Sequence, residues 1–121
     1  MSAKPRDLPR LAPRLRIVQP GKPPFGPGKA ELLEFIAATG SIRTAAQEMG
    51  MSYPRAWGLV REMNDLFTAP LVTRTRGGGT GGGAALTPLG ETVLRLYSRM
   101  EAACETATRD DWRVLQGLLK P

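Results

Sequence analysis

Residues 41–64 read SIRTAAQEMGMSYPRAWGLVREMN, and their pattern decides the fold. Ile42, Ala45, Ala46 and Met49 fall at i, i+3, i+4 and i+7, one face of a helix that Ser41 is placed to cap. The two alanines are small, so a following helix can cross closely over them. Gly50 takes the turn, and Ser52 offers a cap oxygen to a second helix. Pro54 is tolerated in that helix's first turn, where a missing N–H loses no partner. At about 100° per residue, the second helix puts Tyr53, Ala56, Val60, Met63 and Phe67 on one side, with Trp57 and Asn64 at the margin. Pro54, Arg55, Gly58, Arg61, Glu62 and Asp65 fall on the other side.

Two helices around a tight turn, the second with an exposed basic face, can present a short rigid helix to a DNA major groove. The next stretch of chain fits that use. Residues 71–76 alternate apolar and polar like a half-exposed strand, with Arg74 and Arg76 on the polar face. Residues 77–83, GGGTGGG, form the expected tip of a wing, and residues 85–87 return as the partner strand. A phosphate-binding P-loop is excluded because no lysine follows these glycines, and no β-α-β unit surrounds them for a dinucleotide site. A tract without side chains can instead follow a phosphate backbone while arginines at its base supply charge.

Upstream, the first helix is expected over residues 29–39, with Leu32, Leu33, Ile36 and Ala37 as its apolar stripe and Gly40 as a left-handed cap. Residues 1–13 are expected as a disordered basic, proline-rich tail, and residues 14–18 as a short edge strand. Residues 19–28 cannot be helical, because their prolines remove N–H donors. Downstream, Thr87 and Pro88 read as N-cap and first position of a long helix over residues 88–109. Leu89, Val93, Leu96, Met100, Ala103 and Ala107 form a heptad seam along it. Its first half is expected on the protein's own core. Beyond Met100 little chain remains to cover it, so the seam is assigned to self-association. Asp110 and Asp111 are placed to open a separate short helix within residues 110–121.

The chain of 121 residues carries a formal charge of +6. Lys4, Arg6, Arg10, Arg14, Arg16, Lys22 and Lys29 face only Asp7, so this segment holds the whole excess and the remainder is balanced. A DNA-binding face must therefore arise from segregation of charge, with the N-terminal segment as an added source of phosphate contacts. Histidine is absent and Cys104 is the single cysteine. That removes intrachain disulfides, Cys/His zinc sites and any His-activated nucleophile, so neither an enzyme nor a cofactor is expected. With no apolar run near ~18 residues and no signal-peptide core, the expected compartment is the cytoplasm, with no membrane partner. Cys104 reads as a buried structural thiol.

The chemistry assigns roles on the DNA-facing side. Arg55 and Arg61 suit guanine edges and phosphates alike, so the sequence leaves the two open. Ser41, Arg43, Thr44 and Ser52 sit at helix N-termini, where hydroxyls and backbone N–H groups hold phosphate. Tyr53 and Trp57 either stack on sugars or pack in the core. Pro54, Arg74, Arg76 and Thr80 complete the set, while Glu62 and Asp65 would repel phosphate.

Residues 26–64, GPGKAELLEFIAATGSIRTAAQEMGMSYPRAWGLVREMN, and 70–97, PLVTRTRGGGTGGGAALTPLGETVLRLY, closely resemble the DNA-binding domain of ModE-type molybdate-responsive regulators, related to LysR-type domains. The resemblance covers roughly residues 14–100. It implies a mainly α, winged helix-turn-helix fold with a β-hairpin wing and a long C-terminal dimerisation helix. It implies a dimeric transcription factor on double-stranded DNA whose helix over residues 52–64 enters the major groove. ModE-type proteins carry oxyanion-binding domains after this helix, and this sequence ends at Pro121, so no molybdate site is carried over. A stand-alone regulator, a heteromeric partner and an excised domain all fit this length, and the expectation is a stand-alone homodimeric regulator of molybdenum-related genes. The alternative is a protein-interaction module, such as a heteromeric partner of a full-length relative, without DNA binding of its own.

Overall fold

The computed structural model describes residues 7–75 and 83–121. Its elements are α1 (Pro27–Thr39), α2 (Ile42–Glu48), α3 (Tyr53–Leu66), β1 (Val72–Thr75), β2 (Gly83–Leu86) and α4 (Pro88–Gly117). This is the expected winged helix-turn-helix, mainly helical with one antiparallel hairpin.

Local chemistry sets the boundaries. Ser41, Ser52 and Thr87 each accept a hydrogen bond from the backbone N–H three residues on, capping α2, α3 and α4. Gly40 and Gly50 have positive φ, 70° and 68°, which lets the chain leave α1 and turn into α3 without a Cβ clash. The helix α1 starts two residues before the expected Lys29, because Pro27 suits a first helical position.

The core gathers Leu32, Leu33 and Ile36 of α1, Ala45 and Ala46 of α2, and Ala56, Val60 and Met63 of α3. Ala37, assigned to the α1 stripe, is exposed instead, since no element packs over that side. Phe25 is fully buried and meets Phe67 and Tyr97 edge-on, with centroids 5.8 and 5.3 Å apart. The expected edge strand over residues 14–18 reduces to one bridge, Ile17 with Phe25. The prolines that come next leave few N–H groups to extend it. Tyr97 of α4 donates to the Leu15 carbonyl at 2.8 Å and holds this segment down. Burial, then the Glu101 charge, pushes the Tyr97 hydroxyl pKa up, against an opposing pull from Arg14, so it remains a donor at neutral pH.

The hairpin pairs Val72 with Leu86 through Thr75 with Gly83. It is tied to the helices at both strands. Ala84 N–H donates to the Gly40 carbonyl at 2.9 Å. Asn64 Oδ1 accepts from Leu71 and Val72 N–H at 2.8 and 3.1 Å, and Asn64 Nδ2 donates to the Val72 carbonyl at 3.2 Å. Asn64→Ala leaves these buried backbone groups unpaired, and urea unfolding should show a loss of about 2–3 kcal/mol. Asn64→Asp keeps the acceptor and should recover part of it; equal stability of Asn64→Ala and wild type would refute this clip.

Two expectations at the C-terminal side are corrected. No separate helix opens at Asp110: α4 is continuous for 30 residues to Gly117. Neither proline nor glycine interrupts it there, so two aspartates alone do not end a helix. Cys104 is half-buried rather than buried. Residues 9–13, expected within a disordered tail, form no regular secondary structure but lie against α4. Pro9, Arg10 and Leu11 line a cavity of about 180 Å³ with Glu105, Thr108, Arg109 and Trp112 of α4. Residues 1–6 of that tail lie outside the described residues. No helix among the described residues is long and apolar enough to cross a membrane.

Candidate nucleic-acid interface

The helix α3 buries Ala56, Val60 and Met63 and leaves Pro54, Arg55, Arg61 and Asp65 exposed, as its periodicity predicts, whereas Gly58 and Glu62 from the expected outer side and Phe67 from the inner one are half-buried; the N-cap Ser52 is exposed. Tyr53 and Trp57 are half-buried and make an edge-to-face pair, centroids 6.4 Å apart. Each carries an arginine from another element. The Arg43 guanidinium of α2 lies 4.3 Å from the Tyr53 ring centroid, and that of Arg74 of β1 lies 4.4 Å from Trp57. These cation–π contacts, worth about 0.5–1 kcal/mol each at exposed sites, fix two otherwise wandering charges. Tyr53, Pro54, Trp57, Arg61 and Arg74 line an open groove of about 440 Å³ between α3 and the wing.

The serine hydroxyls have a structural task as well. Ser41 Oγ accepts from Thr44 N–H at 3.0 Å and Ser52 Oγ from Arg55 N–H at 3.2 Å, while each O–H stays available to donate. Arg55 does not join the groove beside the wing. It lines a different cavity, on the side of α3 that faces the N-terminal segment. Arg76 and Thr80 lie outside the described residues.

The two acidic groups on α3 are neutralised from an unexpected quarter. Lys29, only 8% exposed, pairs with Glu62 at 2.7 Å and also donates to the Pro24 carbonyl at 2.8 Å. Lys22 pairs with Asp65 at 2.8 Å and donates to the Asp65 carbonyl at 2.9 Å, at the C-terminal end of α3 where a cation is favoured. Glu62 and Asp65 therefore cost the face less than their charge suggests. Sequence reasoning missed both pairs and the role of Asn64. The available signal was the balance itself: lysines concentrated before residue 30, and carboxylates on a helix otherwise suited to an anion.

The lysR-family description, bacterial regulatory helix-turn-helix protein, matches residues 29–91, which span α1 through the first turn of α4. The chain belongs to this family. Within it, the matched relatives include the molybdenum-pterin-binding protein MopB of Rhodobacter capsulatus, 49% identical over 78 residues, covering 64% of this chain and 29% of MopB. MopA of the same organism is 39% identical over 97 residues, covering 80% of this chain and 37% of MopA. The DNA-binding transcriptional dual regulator ModE of Escherichia coli K12 is 39% identical over 97 residues, covering 77% of this chain and 37% of ModE. The chain thus spans about a third of the length of these curated relatives. Together with the helix-turn-helix match over residues 29–91, these similarities are consistent with a ModE-type DNA-binding domain.

Along α4, Leu89 and Val93 pack partly against the core, while Leu96 and Met100 are 43% and 49% exposed. Ala103 and Ala107 are exposed too. Because α4 does not break at Asp110, Val114 and Leu118, both exposed, fall on the same stripe at about 100° per residue.

Proposed function

We propose that this chain is a sequence-specific DNA-binding regulator of transcription that works as a homodimer. The α3 helix enters the major groove, with Arg61 and Arg55 reaching base edges or phosphates. Arg43 and Arg74, held on Tyr53 and Trp57, meet the backbone on the flank toward the wing. The observation that carries this reading is the groove face of α3: basic and aromatic groups are oriented outward while both of its carboxylates are paired with lysines. The exposed stripe of α4 supports self-association, since no other described element covers it. The relatives' names, molybdenum-pterin-binding protein and transcriptional regulator, support molybdenum-related genes as the targets.

Mobility shift on promoter duplexes across a salt series tests the proposal. Binding should weaken steeply with salt, as phosphate neutralisation requires. Arg61→Ala should cost about 1–3 kcal/mol, roughly 5- to 150-fold in affinity. A wild-type protein indifferent to DNA at low salt would sink the proposal and favour the protein-interaction module. Chromatin occupancy with and without molybdate in the medium tests the choice of genes.

A further inference from the structure

We infer that the cavity between the N-terminal segment and α3 is a second phosphate site, holding a DNA backbone phosphodiester on the flank of α3 opposite the wing. The inference rests on the DNA-binding reading above and adds a contact that the helix-turn-helix motif does not contain. The cavity measures about 240 Å³, and Arg14, Arg16, Gly26, Gly28, Arg55 and Leu59 are among the residues around it.

Its arginines stand on backbone that the fold holds in place. Residues 14–17 alternate exposed and half-buried, so Arg14 and Arg16 share one side while Leu15 and Ile17 pack toward the core. Tyr97 fixes the Leu15 carbonyl, and Ile17 exchanges two backbone hydrogen bonds with Phe25, at 2.8 and 3.1 Å. The Arg16 stem lies against Gly26, where an added Cβ would meet its Cγ at 3.4 Å. Arg55 comes from the first turn of α3 and brings an exposed guanidinium of the reading helix to this cavity.

The charge balance singles out these groups. Lys22 and Lys29 of the same N-terminal segment are taken by Asp65 and Glu62. Among the described residues, no carboxylate lies within ion-pair distance of Arg14, Arg16 or Arg55. The helix α1 also begins here with no side-chain cap on its first amides, which adds to the positive potential. Guanidinium forks match phosphate oxygens in pairs. With Arg74 on the wing flank and this cluster on the other, α3 is bracketed by cations. That is what a helix lying between the two phosphate ridges of a major groove about 12 Å wide requires.

The test is Arg14→Gln/Arg16→Gln, measured by fluorescence anisotropy. Its probes are a duplex selected by the wild-type protein from a random library and a shuffled duplex. Affinity for both should fall about 10- to 100-fold, and the slope of log K against log salt should flatten by about 2, roughly 0.9 per lost phosphate contact. Arg14→Lys/Arg16→Lys should restore most of the slope. Tyr97→Phe, which keeps both guanidiniums but frees the Leu15 carbonyl, should weaken binding to a smaller degree. Unchanged affinity and slope in the double glutamine variant, with Arg61→Ala still impaired, would overturn this site and leave the DNA reading intact. A wild type that ignores both duplexes overturns the two together. A third arm uses inorganic phosphate against chloride at matched ionic strength. If phosphate raises the wild-type melting temperature through Arg14 and Arg16, and the glutamine variant still binds DNA normally, the site serves a free oxyanion and the assignment to the DNA backbone falls.

Discussion

Gly90→Ala is expected to remove about 3 kcal/mol or more of stability, enough to leave much of the chain unfolded at physiological temperature. A Cβ at this position would overlap the Leu71 carbonyl oxygen and crowd the Leu71 carbonyl carbon and Cα, at 3.0 and 3.3 Å. All three are backbone atoms, so no rotamer change relieves the overlap. Nor can this segment retreat easily. Leu71 is fully buried, its N–H is held by Asn64, and its carbonyl accepts from Thr87 N–H at 2.9 Å. Thr87 in turn caps the turn of α4 that contains Gly90. Gly58→Ala is the matched control: it is also helical but meets nothing within 4 Å. It should gain about 0.5–1 kcal/mol from helix propensity. Urea titrations of the two variants should therefore diverge in sign. Similar midpoints would show that α4 does not seat on the Leu71 backbone through this glycine.

Leu96→Glu/Met100→Glu is expected to convert the proposed dimer to a monomer, raising its dissociation constant by about 10³-fold or more. A carboxylate placed in an apolar seam must be desolvated without a partner, at several kcal/mol per charge. Both positions are about half exposed in the single chain, so the variant should keep its helical circular dichroism. Sedimentation velocity reads the outcome directly. Binding to a two-half-site operator should drop to that of a single half-site, because the second reader is no longer tethered. Equal sedimentation of variant and wild type would remove the seam from the account of assembly.

The parts of the fold legible in the sequence were those written locally. Ser41, Ser52 and Thr87 announce their helices through side-chain caps, and Gly40 and Gly50 announce the turns through conformations only glycine adopts freely. The burial of Ala56, Val60 and Met63 follows from spacing alone. What escaped was pairing across the chain. Nothing near Glu62 or Asp65 foretells that Lys29 and Lys22, more than thirty residues earlier, neutralise them. Tyr53 and Trp57 stood between core and surface in the sequence; the structure makes them half-buried platforms, because arginines of α2 and β1 close over their outer faces. Asp110 and Asp111 misled in the opposite direction, since a local start signal has no force inside a helix that nothing interrupts.

The length of α4 has a mechanical consequence. Thirty residues at a rise of 1.5 Å make a rod of about 45 Å, and its first turn is seated with no slack on Leu71, just ahead of β1. The rod is in effect a lever whose short end is fused to the wing. In a dimer whose rods pivot at their far ends, a tilt of about 5° between them would change the separation of the two wings by some 4 Å, close to the 3.4 Å spacing of stacked base pairs. Small repacking among Met100, Val114 and Leu118 in such a dimer would be geared to the distance between half-sites. A modest change at one end of the molecule would change which operators the other end can span.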